Sequence, residues 1–276
     1  MNKKDCEGSI IRSIFNLLSG TSCSRITGML REIAMATYFG ADPLVAAFWF
    51  GFRTVFFLRK VLGGSVLGQA FIPHFEFLRA QDTNRAAFFF RSFFRFVTGG
   101  ALVFTILIEV VLWVWLNQAE TETADTLLLT MILLPCGIFL TMYTINGALL
   151  HCENKFFSVG LAPAVVNIIW IAFVVCVRHA SLRQRVIGLA WVLVGGFVLE
   201  WLVTVPGVRN FLSQATTPPK EKDSIKALLA PLSLGILTSG IYQVNLISDI
   251  CLARYVDVIG PLYLMYSLRI YQLPVN

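Results

Sequence analysis

The sequence predicts an all-α fold, a polytopic membrane bundle of about seven or eight transmembrane helices, and three observations carry it. Hydrophobic residues make up 57% of the 276 and charged residues only 14%, whereas a soluble globular chain is about a quarter charged. Mean hydropathy is +0.73. Apolar runs of roughly 20 residues, enough to cross a hydrocarbon core of about 30 Å, recur along the whole chain. One membrane domain follows from this, not a soluble domain with an anchor.

The first span covers 9–39. Lys3, Lys4, Asp5 and Glu7 precede it, and it contains Arg12, Arg25 and Arg31 with no small-residue cleavage pattern, so it reads as a retained span and not a leader. Further spans lie near 44–78, 92–116, 126–150, 156–177, 186–208 and 225–252, and an eighth begins near 259. Loop charge sets their direction. The connection carrying Arg79, Arg85, Arg91 and Arg95 is basic, while 117–125 holds three acids and no base. Basic loops stay in the cytoplasm, which places the N-terminus, the 79–95 loop, the Lys155 loop and the 209–226 connection inside and 117–125 outside. Arg178, Arg183 and Arg185 fall outside on this count, against the rule.

Pro218-Pro219 with Lys220 and Lys222 marks the best internal boundary. Residues 1–213 are expected to form a six-helix transmembrane bundle, 214–224 a cytoplasmic linker, and 225–276 the start of a second bundle. The last apolar segment ends at Asn276 before it is long enough to cross, so the sequence reads as cut short.

Net charge is +6 and the isoelectric point about 9.1. Apolar runs separate the basic groups, so a nucleic-acid partner is excluded and a basic face toward anionic lipid is the better explanation. The six cysteines, Cys6, Cys23, Cys136, Cys152, Cys176 and Cys251, show no metal-ligand spacing and read as small apolar residues. No metal and no cofactor are expected.

The chemistry lies in charges placed inside spans. Wound at about 100° per residue, Arg25, Glu32, Thr21, Gly28, Ser24 and Arg31 share one arc of about 120° on the first helix, opposite Ile26, Met29, Leu30, Ile33 and Ala34. Arg53, Arg59, Lys60, Gly63 and Gly64 share one side of the second span if its helix is continuous. An Arg or Lys at the centre of a membrane helix costs about 2.5–3.5 kcal/mol on insertion scales, so five of them need a hydrated cavity or an anionic ligand. Two alternatives stay open: Arg53, Arg59 and Lys60 mark a helix end and snorkel to headgroups, and Arg31 pairs with Glu32. Glu109, Glu200 and Asp249 are lone intramembrane acids, each a cation or proton site or a partner in a helix–helix hydrogen bond.

The run Ser24-Arg25-x-x-Gly28-x-x-Arg31-Glu32, followed by Tyr38-Phe39-Gly40-Ala41, Ala47-Phe48, Arg53, Leu58-Arg59-Lys60 and Gln69-Ala70-Phe71-Ile72-Pro73, resembles the N-terminal signature of the MurJ (MviN) lipid II flippases. The similarity continues through Asn146-Gly147-Ala148 and Ala162-Pro163 to Tyr266-x-x-Arg269-x-x-x-x-Pro274. It ends where the family is about half complete. The resemblance implies a member of the multidrug/oligosaccharidyl-lipid/polysaccharide exporter superfamily, in which two helical lobes enclose a cationic cavity that opens alternately to either side. This chain would be the N-terminal lobe.

The cargo so implied is undecaprenyl-pyrophosphate carrying a disaccharide-pentapeptide, moved across the bacterial inner membrane. Positions matching Arg25, Arg31, Arg59 and Arg269 would hold the pyrophosphate, with Arg53 and Lys60 as further basic positions and Ser24, Gly28 and Glu32 supporting the cavity. Ala46 stands where relatives usually carry an acid, with Asp42 displaced by four positions. Gly64-Ser65 replaces Glu-Gly, and Leu268 and Gln272 replace the acids flanking the family arginine. These departures bear on charge balance and ion coupling, not on the basic site.

Expected partners are lipid II, membrane lipids, and a C-terminal half or a second copy. Two readings compete with the flippase. One is an exporter of another lipid-linked oligosaccharide; a cation-drug exporter fits less, since it wants acids in the N-terminal cavity. The other is a non-transporting scaffold or decayed fragment. An enzyme has little to stand on: there is no phosphate-binding Gly-x-x-x-x-Gly-Lys-Ser/Thr loop, and the three histidines, His74, His151 and His179, sit near span ends.

Overall fold

The computed structural model describes residues 3–62, 64–213 and 226–272, and among them it forms ten helices and no strand. The helices are α1 (Lys3–Phe39), α2 (Pro43–Leu62), α3 (Gly64–Gln81), α4 (Thr83–Leu116), α5 (Thr121–Leu133), α6 (Cys136–Cys152), α7 (Phe156–Cys176), α8 (Leu182–Leu212), α9 (Lys226–Val256) and α10 (Gly260–Gln272). The side chains before Ser19, and those of Thr21 and Arg269 among others, fall outside the described residues. So does the linker expected at 214–224.

The run 44–78 holds α2 and α3 on either side of position 63. Gly63, placed with Gly64 on one side of a continuous second helix, lies outside the described residues. One expected span carries a break. The run 126–150 is α5 and α6, parted at Leu134 and Pro135. Proline has no amide hydrogen to donate and its ring crowds the preceding turn, so it begins a helix more readily than it continues one.

Five stretches, Thr83–Leu116, Thr123–Cys152, Phe156–Cys176, Leu182–Leu212 and Leu232–Val256, are long and apolar enough to cross a membrane. The apolar part of α2, Pro43–Phe57, is shorter. The described part of α1 carries Arg25, Arg31 and Glu32. On α4 the side chains of Leu102, Val103, Ile106, Leu107, Val110, Val111, Trp113, Val114 and Trp115 are all exposed, as suits a helix solvated by lipid tails.

Helix α1 lies along α7, α7 and α6 pack on α8, and α2 sits centrally against α5, α6, α8, α9 and α10. One apolar cluster joins α1, α2, α5, α6, α7, α8 and α10 around Phe48, Trp49 and Trp170. A second gathers α3, α4, α6, α8 and α9 around Phe71, Phe75, Phe90 and Phe93. Polar contacts fasten the two ends. At one, Arg183 pairs with Asp125 at 2.9 Å and Arg185 Nη1 donates to the Tyr38 carbonyl at 2.6 Å. At the other, Arg79 pairs with Glu153 at 2.8 Å and Arg91 Nη2 donates to the Leu212 carbonyl at 3.2 Å. The arginines that offended the loop-charge rule thus have local work: one neutralises the acidic segment and another terminates α1.

The closeness of α2 and α5 depends on Gly51. A Cβ there would stand 3.0 Å from Thr130 Cα and Oγ1 and 3.1 Å from its amide nitrogen. Gly51→Val is expected to cost about 1–3 kcal/mol through overpacking, seen as a lower thermal midpoint in detergent. Gly99→Val, where nothing lies within 4 Å, is the control. Equal melting of the two variants would count against this close approach.

Candidate functional site

Arg31 is held by two hydrogen bonds and an aromatic ring within the bundle. Its Nη1 donates to Asn167 Oδ1 at 3.0 Å and its Nη2 to Glu32 Oε1 at 2.5 Å. Its guanidinium lies 4.6 Å from the centre of the Trp170 ring, a cation–π distance. Asn167 Nδ2 in turn donates to the Ser24 carbonyl at 3.1 Å and Thr27 Oγ1 at 3.2 Å. Gly28 lies alongside: a Cβ there would come to 3.6 Å of Asn167 Nδ2, an ordinary van der Waals contact. The Arg31–Glu32 pair left open by the sequence is therefore present, and Arg31 is also bound from α7.

The polar arc on α1 is divided by its neighbours. Ser24, Gly28 and Arg31 turn toward α7, whereas Arg25 is exposed at the edge. Glu32 faces the other way as well, acting electrostatically on Tyr266 of α10. Arg269 follows Tyr266 by one turn on α10; its side chain lies outside the described residues. Ile26, Met29, Leu30 and Ile33, read as the lipid or packing side, are all exposed.

The arc on α2 divides in the same way. Arg53 and Lys60 line a groove of about 110 Å³ with Phe56, Phe57 and Gln243, Ile247 and Ile250 of α9. Arg59 turns to another side, where its Nη2 donates to Thr144 Oγ1 of α6 at 3.4 Å and its guanidinium lies 5.9 Å from the Phe56 ring. An arc of more than about 100° is wide enough for its edges to meet different helices. Arg59 and Lys60 stand three and two residues before Leu62, the last described residue of α2.

The two sets of basic residues are joined through aromatic rings. Trp170 carries Arg31 on one face and packs against Phe52 with ring centres 5.3 Å apart. Phe52 meets Phe56 at 4.7 Å, and Phe56 lies under Arg59. At about 1.5 Å of rise per residue, Arg31 is about 12 Å along α1 from Phe39, and Arg53 about 15 Å along α2 from Pro43. Arg25 and Arg59 lie deeper, at about 21 and 24 Å by the same measure. The arrangement offers cationic and hydrogen-bonding groups at two depths within an apolar bundle, suited to an anion with several oxygens.

Asn167, Trp170, Thr144 and Glu200 were not singled out as site residues from sequence. Only Glu200 carried a signal, as a lone acid in an apolar run. It is buried, 3% exposed, and feels the charge of Arg59.

A family model described as "Lipid II flippase MurJ" matches residues 35–276. The chain is 71% identical over 276 residues to "Probable lipid II flippase MurJ" of Chlamydia pneumoniae, covering 100% of this chain and 50% of that protein. It is 66% identical over 273 residues to the protein of the same name in Chlamydia muridarum, covering 99% and 51%. A solved structure titled "Lipid II flippase MurJ, inward closed conformation" superposes with a TM-score of 0.73 at 20% identity, over 94% of this chain and 54% of that one, a likeness of fold. The chain spans about half the length of the curated relatives it matches.

Proposed function

This chain belongs to the lipid II flippase MurJ family, and we propose that it forms the cationic N-terminal lobe of a flippase for an undecaprenyl-pyrophosphate-linked peptidoglycan precursor. The observation that carries this reading is the set of basic side chains held within the bundle, Arg31 on Trp170 and Arg53 and Arg59 around α2, with Lys60 exposed beside them. An apolar or cationic cargo has no use for them. A pyrophosphate does, since its oxygens accept several charge-assisted hydrogen bonds at once.

In this mechanism the basic groups draw the pyrophosphate into a hydrated cleft while the polyprenyl tail stays in lipid. Arg25, exposed at the edge of α1, is the first contact, with Arg59 and Lys60 on the same level, and Arg31 and Arg53 on the other level, with Arg269, hold it next. Ser24 and Gly28 keep α1 close to α7, and Glu32 fixes the guanidinium of Arg31. Rocking of two lobes about the site exchanges access. With the N-terminus cytoplasmic in the inner membrane, the membrane potential favours outward movement of the anionic headgroup by about 2.3 kcal/mol per charge per 100 mV. No covalent step is required of the protein.

Binding of lipid II to the chain in nanodiscs, followed by native mass spectrometry or crosslinking, tests this. Arg25→Ala, Arg31→Ala and Arg59→Ala are each expected to weaken binding by about tenfold, the loss of one charge-assisted contact, and Arg178→Ala, at an exposed helix end, to leave it unchanged. Equal losses in all four variants would mean nonspecific attraction to basic protein and would overturn the site.

A further inference from the structure

We propose that Glu200 of α8 is the resident counter-ion of Arg59, a positioning residue that holds the guanidinium in place and competes with the anionic cargo for it. This deepens the preceding reading and rests on it for the identity of the cargo. The geometry begins with direction. Arg185 at the start of α8 donates to the carbonyl of Tyr38, beside the start of α2 at Pro43, so α2 and α8 set out from one end and run parallel. Phe56 of α2 and Phe197 of α8 meet with ring centres 6.1 Å apart. Three residues further along each helix, on the same face, stand Arg59 and Glu200.

Helix α6 closes this corner. Arg59 Nη2 donates to Thr144 Oγ1 at 3.4 Å, and Asn146 Nδ2 donates to Thr204 Oγ1 at 2.9 Å, one turn past Glu200. Tyr143, the residue before Thr144, is within electrostatic reach of both groups. Glu200 is 3% exposed, cut off from water, so that burial works against its charge and a nearby cation is what favours it. Among the described residues Glu200 and Arg59 make no direct salt bridge, so the carboxylate acts on the guanidinium through space. Arg59 Nε is buried without a hydrogen-bond partner, a donor still available to an incoming oxygen.

A through-space counter-ion makes a definite difference to ligand binding. While the lobe is empty, the carboxylate offsets a charge that would otherwise stand bare in a low-dielectric interior. When a pyrophosphate arrives, the same carboxylate repels it and moderates its affinity. A cargo that must leave on the far side benefits from that weakening. Replacing one carboxylate oxygen by an amide nitrogen gives glutamine, which keeps the shape and removes the charge.

The experiment measures undecaprenyl pyrophosphate affinity for the chain in nanodiscs. Glu200→Gln is expected to tighten binding by about tenfold, since one repulsive charge at this range in a partly dry interior is lost. Glu200→Asp should bind as the parent does. In an Arg59→Gln background no cation remains to keep the buried Glu200 charged, so the Glu200→Gln gain should vanish. A merely structural glutamate predicts weaker binding in every background, and either that result or an unchanged affinity would overturn the proposal. Thermal unfolding of the same four proteins, parent, both singles and the double, reads the pairing without any ligand: non-additive midpoints support it and additive midpoints overturn it. Failure of every protein to bind the probe would sink the flippase reading and leave the melting cycle to decide the pair.

Discussion

Trp170→Ala is expected to destabilise the lobe by about 3 kcal/mol and to loosen Arg31 in the same step. Trp170 is fully buried and meets Phe48, Trp49 and Phe52 at ring-centre distances of 5.7, 5.8 and 5.3 Å. Its other face carries the Arg31 guanidinium at 4.6 Å. In a bilayer the alternative surroundings are lipid tails and not water, so most of the cost is lost packing, with little from water transfer. That places the effect at the lower end of the range for large aromatic truncations in soluble cores. Trp170 Nε1 is buried without a partner, so Trp170→Phe forfeits no hydrogen bond and should lose less than half as much. The check is thermal unfolding in detergent beside lipid II binding. Arg31→Ala is expected to spare the fold and weaken binding, whereas Trp170→Ala should impair both. A Trp170→Ala protein that melts with the parent would show that this aromatic junction is not what ties α7 to α2.

The fold class was legible because its signal is local: a run of about 20 apolar residues announces a crossing helix wherever it occurs. A division inside such a run was less legible. Hydropathy is unbroken across Leu134-Pro135, so a count of apolar residues merges α5 with α6. Pro135 was the available signal. The polar arcs of α1 and α2 could be read because residues of one helix share a known period. What receives them could not. Arg31 is bound by Asn167, 136 positions away, and no periodicity reaches that far. Trp170 and Thr144 read as ordinary residues of apolar helices until packing brings them under Arg31 and beside Arg59. The three arginines of 178–185 looked misplaced for a related reason: the groups that Arg183 and Arg185 satisfy, Asp125 in the first turns of α5 and the Tyr38 carbonyl in the last turn of α1, belong to other helices.

The other large effect concerns sufficiency: residues 1–276 are expected to bind lipid II but not to flip it by themselves. The chain spans about half the length of its curated relatives, 50% of one and 51% of another. Alternating access needs a second wall that moves against the first. Here α9 and α10 pack back onto α2, which extends the first wall and does not oppose it. Arg25 and Lys60 are exposed on the lobe, and a basic group facing lipid costs about 2.5–3.5 kcal/mol on insertion scales. Covering that face is therefore favourable, whether by a C-terminal half or by a second copy. Complementation distinguishes the two. In a bacterium depleted of its own flippase, the 276 residues should fail to restore growth, and co-expression with the C-terminal half of a full-length relative should restore it. Rescue by the 276 residues alone would refute the argument and point to a working homodimer, in which Arg25 and Lys60 of one copy face their counterparts across a shared cavity. Like charges then face each other with nothing between them, so such a dimer should form only when the anionic lipid is present to separate them.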